Sequence, residues 1–157
     1  MKKIMFIILM CFPLLTLSAQ KDQEEQFEVE MAEVGQPGML VVKVWCYAKK
    51  PKIADNVFKT CAVKGLLFRG VEKSGRMQGR QALVANGYDA NRDYFDEFFK
   101  NDYLHFARIA QNGYVDQNSI IKIKKLYKVA KLVVVSYNDL RNKLEKDNII
   151  KGLNYGF

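Results

Sequence analysis

The chain has little of the side-chain chemistry that catalytic and metal sites need. It contains one histidine, His105, and three cysteines among 157 residues. A standard structural zinc site takes four ligands, so His105 and the cysteines cannot complete one without carboxylates. The HExxH, GxSxG and P-loop patterns are also absent. These absences disfavour an enzyme, and the sequence predicts neither a bound metal nor another cofactor.

His105 is the single candidate for a general base. Such a base needs a partner that orients it and a cleft in which to work. Asp93, Asp96 and Asp102 are close in sequence, but spacing alone places none of them against the imidazole. We therefore interpret His105 as a structural or surface residue and assign no catalytic residue. A hydrolase that uses His105 is the remaining enzymatic hypothesis.

The chain also lacks an apolar run as long as the roughly 20 residues of a membrane-spanning helix. Its most apolar segment, 4–17, follows two lysines and is followed by small and polar residues at 18–20. A positive start, a short hydrophobic segment and a small-residue cleavage site are typical of a secretory signal peptide. We predict a signal peptide at residues 1–19 and a flexible polar leader at 20–26.

A signal peptide predicts an exported protein, periplasmic or associated with the outer membrane. Lipidation would make Cys11 the mature N-terminus. Leu9 and Met10 precede it, and methionine fits poorly where a lipobox requires a small residue. The protein is therefore expected to carry no lipid.

The composition favours a folded, basic protein. Hydrophobic residues make up 49% of the chain, and the formal net charge is +8. Residues 27–157 are long enough for a single domain with its own core. A basic exported protein can bind anionic lipid head groups, acidic glycans or nucleic acid. A solvated lysine-rich surface without a partner is the alternative interpretation.

Hydrophobic periodicity predicts the elements of the first half. Alternating residues indicate two strands, 27–31 and 39–48, which read as a β-hairpin. A helical stripe indicates a helix at 53–64 that ends at Gly65. The apolar run Leu66–Val71 is predicted to be a short buried strand.

The second half is predicted to begin with a long loop, 72–88. Further predicted elements are a helix at 89–100, a strand at 103–111 with a turn at 111–113, a strand at 120–135, a helix at 139–146 and a docked tail at 149–157. The resulting order is β-β-α-β-α-β-β-α. It predicts an α+β domain with a mostly antiparallel sheet of about five strands and two to three helices on one face.

Six cations form the candidate ligand-binding set: Lys73, Arg76 and Arg80 in the glycine-containing loop, and Lys122, Lys124 and Lys128 along one face of the predicted strand 120–135. Arginine on flexible backbone suits bidentate contact with phosphate, sulfate or carboxylate. Alternatively, the loop is merely solvated and the lysines protect an exposed strand edge. A nucleic-acid partner is not predicted, because Tyr127 is the one nearby aromatic residue and falls on the opposite face.

Cys46 and Cys61 form a candidate disulfide. Cys46 shares a strand face with Val42 and Val44, and Cys61 lies on the helix stripe that faces the sheet. In an oxidising compartment a bond between them would close a loop of about 15 residues and stabilise the fold by on the order of 3 kcal/mol. The alternative is two separate buried thiols that behave as small hydrophobes.

Three segments resemble a known group of proteins: VVKVWCYAKKP at 41–51, LLFRG at 66–70, and KLVVVSYNDLRNKL at 131–144. They are similar to small exported proteins of Gram-negative bacteria, including outer-membrane-associated lipoproteins and the flagellar accessory proteins that share their domain. The resemblance implies an assembly or scaffold role without catalytic residues. This chain departs from the pattern in lacking a lipobox and in having Cys46.

The leading hypothesis is therefore a non-enzymatic exported domain that binds a protein or another component of the cell envelope. The alternative is a binder of anionic ligands, such as glycans or lipid head groups, through the basic loop and the lysine strand.

Overall fold

The computed structural model describes residues 26–110 and 119–152. The predicted signal peptide, residues 20–25 of the leader, the turn at 111–113 and residues 153–157 of the tail lie outside the described residues. No helix in the described parts is long and apolar enough to cross a membrane.

The described residues form one small domain. Its helices and strands are, in chain order, β1 (Phe27–Val34), β2 (Met39–Ala48), α1 (Asp55–Lys64), α2 (Arg92–Phe98), β3 (Ala107–Ile109), β4 (Ile120–Ile123), β5 (Leu126–Ser136) and α3 (Tyr137–Lys146).

The strands form one antiparallel sheet of five strands, which confirms the α+β class. The order is β1-β2-β5-β3, and β4 pairs with the first part of β5 on the side that β3 also uses. β2 is paired with β5 along its whole length, from Met39 opposite Ser136 to Ala48 opposite Tyr127. This long central pair fixes which residues share each face and each end of the sheet.

The core lies between one face of the sheet and the helices. Leu40, Val42, Val44 and Cys46 alternate along β2 and are all buried, as the period of a strand requires. Helix α1 packs across this face and contacts β1, β2, β3 and β5. The side of α1 that faces the sheet includes buried Phe58 and Cys61, so the predicted face of each cysteine is correct.

The predicted strand Leu66–Val71 is wrong. The chain continues from α1 into a π-helical turn at Gly65–Arg69, and Gly70 ends it with φ of 82°. Gly65 does not stop the helix; its φ of −59° and ψ of −53° are helical. A short apolar run fits a buried helical turn as well as a buried strand. The strand that was predicted to follow the first helix therefore does not form.

Gly65 allows the helical chain to pack closely against β1, and it does not terminate the helix. A Cβ atom placed on Gly65 would lie 2.6 Å from Cγ2 of Val29 on β1. Without a side chain at this position, the π-helical turn can lie directly against the sheet. The glycine that the sequence pattern assigned to a helix end thus allows a close contact between layers.

In the described part of the predicted strand 103–111, residues 103–110, only Ala107–Ile109 is a strand. Asp102–His105 forms a 3₁₀ turn instead, and Tyr103 is buried with its ring centre 5.8 Å from that of Phe99. Packing against the aromatic side chains that follow α2 therefore overrides the strand propensity of this segment.

The predicted strand 120–135 is two strands. β4 and β5 form a hairpin that turns at Lys124 and Lys125, where Lys124 has φ of 54°. Ile123 pairs with Leu126, and Ile120 pairs with Val129. The turn was not predicted because two lysines occupy it instead of the usual glycine or asparagine.

Candidate functional site

The tip of the sheet at the β4–β5 hairpin exposes large apolar side chains. Ile120, Ile121 and Ile123 are 44%, 43% and 43% exposed. In the described structure β4 pairs with β5 alone, so its other edge has no strand neighbour there. Exposed apolar groups that cluster on a projecting edge are typical of an interaction surface.

Lysines surround these isoleucines. Because Ala48 pairs with Tyr127, the chain that leaves β2 emerges beside the β4–β5 turn, one strand spacing or about 5 Å away. We call this end of the sheet the lysine end. Its six lysines are all exposed: Lys49, Lys50, Lys52, Lys122, Lys124 and Lys125. The lysine end thus combines a concentrated positive charge with exposed aliphatic groups.

The predicted row of Lys122, Lys124 and Lys128 on one face is wrong. Residues that pair directly across two strands point to the same side of a sheet. Lys122 pairs with Tyr127, and its Nζ lies 5.9 Å from the centre of that ring. Lys128 is the next residue along β5 and so lies on the opposite face. Tyr127 is therefore on the face of Lys122, not opposite to it.

Lys128 is engaged in a cluster on the open face of the sheet. Its Nζ donates to Glu28 Oε2 at 2.6 Å, and the hydroxyl of Tyr47 donates to Glu28 Oε1 at 2.5 Å. Lys128 Nζ also lies 4.8 Å from the ring centre of Trp45. Trp45 Nε1 donates to Glu30 Oε1 at 3.1 Å. These contacts join β1, β2 and β5 and satisfy the charge of Lys128 internally.

The cluster shifts the protonation of its members. Hydrogen bonds from Lys128 and then Tyr47 hold the pKa of Glu28 below its ordinary value, although burial opposes them. The hydrogen bond to Glu28, together with burial, raises the pKa of Tyr47. Burial disfavours the charged form of Lys128, but the hydrogen bonds to Glu28 and Tyr47 raise its pKa overall. The ionised Glu28–Lys128 pair is thus the stable state at neutral pH.

The Glu28–Lys128 ion pair is expected to contribute stability that is lost in acid. The pKa of Glu28 lies below its ordinary 4.5 in the folded protein, so its stabilisation is present above that pH and is lost as the pH falls through the folded value. Glu28 is 42% exposed, and solvent screening limits the contribution to about 1 kcal/mol or less. We expect Glu28→Gln to lower the free energy of unfolding at neutral pH, with a difference that shrinks below pH 4.5.

Urea denaturation at several pH values measures this difference, and a double-mutant cycle with Lys128→Gln isolates the pair. Asp147 also has a lowered pKa, because Lys143 and Tyr94 donate hydrogen bonds to it. Asp147 is present in both the parent protein and the Glu28→Gln variant, so its contribution to the free energy of unfolding cancels when the two are compared. A difference that is constant across the acid range would contradict the assignment to Glu28.

The predicted basic loop lies elsewhere. Lys73, Arg76 and Arg80 are exposed on a small hairpin in which Val71 bridges Arg80. The guanidinium of Arg80 lies 4.9 Å from the ring centre of Tyr137, the first residue of α3. Lys128 and Tyr137 are nine positions apart along β5 and the residue that follows it, which is about 30 Å of extended chain. Lys128 and Arg80 therefore do not form one continuous patch.

The other sequence-selected residues have no visible catalytic arrangement. His105 is exposed at the end of the 3₁₀ turn, and the described structure shows no hydrogen bond or ion pair from it. Cys46 and Cys61 are both buried in the core, with no disulfide between them in this structure. Their pairing in an oxidising compartment stays a prediction. No group of three or more candidate metal ligands occurs within residues 26–110 and 119–152.

Comparison of the chain with protein-family models, with curated proteins and with solved structures finds no match. The resemblance to exported Gram-negative proteins therefore stays an expectation. What can be concluded about function depends on the surface chemistry of the domain itself.

Sequence reasoning missed four of the six lysines of the lysine end. It left residues 49–52 as the connection between the predicted strand 39–48 and the predicted helix 53–64, and it placed the isoleucines inside one long strand, 120–135. The sequence does show two lysine-rich stretches: one follows β2, and the other precedes β5. Only the register of β2 against β5 shows that the two stretches meet.

Proposed function

We propose that the protein is a non-enzymatic, exported binding module that attaches to the surface of an anionic membrane in the cell envelope. One observation carries the proposal. Three isoleucines, each 43–44% exposed, lie among exposed lysines at a single projecting end of the sheet. An anionic lipid surface offers a partner for both kinds of side chain at once.

Charge supports a lipid surface rather than a purely apolar partner. Two acidic residues beside this end of the sheet in the described structure already have partners: Glu28 pairs with Lys128, and Asp55 pairs with Lys131. The exposed lysines of the hairpin and of the loop after β2 have no such pairing in the described structure. Their charge is thus available to lipid phosphates.

The expected contributions to the free energy of membrane binding are consistent with reversible attachment. Full burial of an isoleucine is worth about 1.5–3 kcal/mol, so side chains that are partly exposed contribute roughly 1 kcal/mol each. A lysine close to an anionic membrane surface contributes about 1 kcal/mol. Neither group suffices alone after the cost of association. Peripheral membrane proteins commonly need two separate contributions for stable attachment. Here the two contributions are the burial of the isoleucines and the attraction of the lysines to the anionic surface.

Co-sedimentation with vesicles tests the proposal. The chain from residue 20 onward contains every described residue and lacks the predicted signal peptide. We expect it to bind vesicles of phosphatidylcholine mixed with phosphatidylglycerol, and to bind pure phosphatidylcholine much more weakly. The combined change K122Q/K124Q/K125Q should weaken binding about 100-fold, because three contributions of about 1 kcal/mol are lost.

A matched control removes three exposed cations from other places: K73Q/R76Q/K146Q. Long-range attraction is largely screened beyond about 8 Å at physiological salt, so this variant should bind nearly as well as the parent chain. The change I121S/I123S should also weaken binding while the lysines remain. Equal loss in the control and in the hairpin variant would refute a role for the lysine end.

A protein partner that adds a strand to β4 is the competing hypothesis. The free edge of β4 favours it, but lysines on an edge strand usually oppose strand pairing. β4 is also only four residues long, which limits the backbone hydrogen bonds that it can offer. Salt-insensitive capture of an envelope protein, with no binding to anionic vesicles, would favour this hypothesis over ours.

A further inference from the structure

A second surface, at the opposite end of β5 from the lysine end, forms an open groove. Two adjoining cavities of about 460 and 700 Å³ lie between the segment 79–86 and α3 with the residues that follow it. They share Leu83, Ile150 and Lys151 as lining residues. Both volumes lie within the roughly 300–1,000 Å³ of small-molecule sites.

The backbone holds both walls in place. The N–H groups of Leu83 and Val84 donate to the carbonyls of Leu66 and Leu67 at 3.0 and 2.9 Å, which fixes one wall to the π-helical turn. On the other wall, the N–H of Ile149 donates to the carbonyl of Leu144 at 2.9 Å. The groove is therefore lined by anchored backbone on both sides.

One end of the groove is cationic. Arg80, Arg141 and Lys151 line the smaller cavity. Arg141 Nε donates to Glu145 Oε1 at 2.7 Å, and its side chain is only 23% exposed. Its two terminal nitrogens have no hydrogen bond within the described residues, and they keep a planar pair of donors for an anion. Among the described residues that line the two cavities, Glu145 is the one acid, and it is already bound to Arg141.

The other end of the groove is more apolar. Leu83, Val84, Ile149 and Ile150 line the larger cavity. Ile149 and Ile150 are half-buried and pack against the core. Asn148 and Glu145 provide polar groups at the rim of this cavity. An apolar chain that enters here would remove aliphatic side chains from water while its charged end meets the arginines.

We propose that this groove binds an amphiphile with an anionic head group and an apolar chain. The head, a phosphate or carboxylate, lies between Arg80 and Arg141 with Lys151 at the side. The apolar chain extends along Leu83 and Ile150. This site is separate from the lysine end, and neither proposal depends on the other.

Titration calorimetry with dodecyl phosphate below its critical micelle concentration tests the proposal. We expect one molecule to bind per chain. Dodecyltrimethylammonium, with the same chain and the opposite charge, and butyl phosphate, with the same head and a short chain, should each bind at least about tenfold more weakly. Both variants R80Q/K151Q and I150S should reduce the affinity for dodecyl phosphate about tenfold or more.

Two comparisons separate this site from the lysine end. The variant K122Q/K124Q/K125Q should keep its affinity for dodecyl phosphate, and R80Q/K151Q should keep its binding to anionic vesicles. Arg108→Gln, an exposed charge change on β3, is the control for loss of positive charge. Equal affinity for all three probes, no binding, or binding lost only in the hairpin variant would overturn the groove assignment.

Discussion

Phe95→Ala is expected to lower the free energy of unfolding by about 3–5 kcal/mol, the range for removing a fully buried phenylalanine. Phe95 is 0% exposed. Its ring centre lies 4.8 Å from that of Phe68, 5.1 Å from Tyr94 and 5.8 Å from Tyr88. Helix α2 has only seven residues, too few to be stable by itself. The aromatic cluster around Phe95 therefore holds α2 on the domain.

Urea or guanidinium denaturation, followed by tryptophan fluorescence and circular dichroism, measures the effect. Asp93→Ala is the matched control, because Asp93 is an exposed residue in the same helix. It should change the free energy by about 0.5 kcal/mol or less. A loss below about 1 kcal/mol in Phe95→Ala would show that α2 does not depend on the cluster.

Gly70→Ala is expected to destabilise the protein by about 2–4 kcal/mol, through backbone strain together with a steric clash. Gly70 has φ of 82° and ψ of −178°, a conformation that is essentially restricted to glycine. A Cβ atom there would lie 2.6 Å from the carbonyl oxygen of Arg80. Backbone cannot move aside as a flexible side chain can, so the hydrogen bonds between Val71 and Arg80 would be distorted.

Gly75→Ala provides the control for positive φ alone. Gly75 has φ of 56°, and a Cβ atom on it would meet nothing within 4 Å. Gly75→Ala should lower the free energy of unfolding by about 1–2 kcal/mol, the usual penalty for an alanine in the left-handed conformation. If the two substitutions prove equally costly by denaturation, the contact between Gly70 and Arg80 is not a constraint on the fold.

The α+β class could be predicted because the strongest patterns lie in the central strands. The alternation along β2 and the apolar run at the end of β5 each specify a strand, and their pairing confirms the class. Two of the failures share one physical cause. At Leu66–Val71 and at Tyr103, a short apolar segment is buried by neighbouring layers, and burial does not distinguish a strand from a helical turn.

The candidate site was less predictable than the fold. Lysine types and spacings were visible in the sequence, but their grouping depends on which strands are neighbours. The hairpin turn at Lys124 separates Lys122 from Lys128, whereas strand register brings Lys49 and Lys50 beside the hairpin. Arg80 and Arg141 are far apart in sequence, so only the packing of the loop against α3 places them in one groove.

The most direct test of membrane attachment by the lysine end is methyl NMR of isoleucine-labelled protein with anionic bicelles that contain a spin-labelled lipid. Spin labels broaden only nearby methyl signals. Our account predicts strong broadening at Ile121 and Ile123, with signals from Ile109 and Ile149 retained. Uniform broadening, or broadening at Ile149 with the hairpin unaffected, would contradict it.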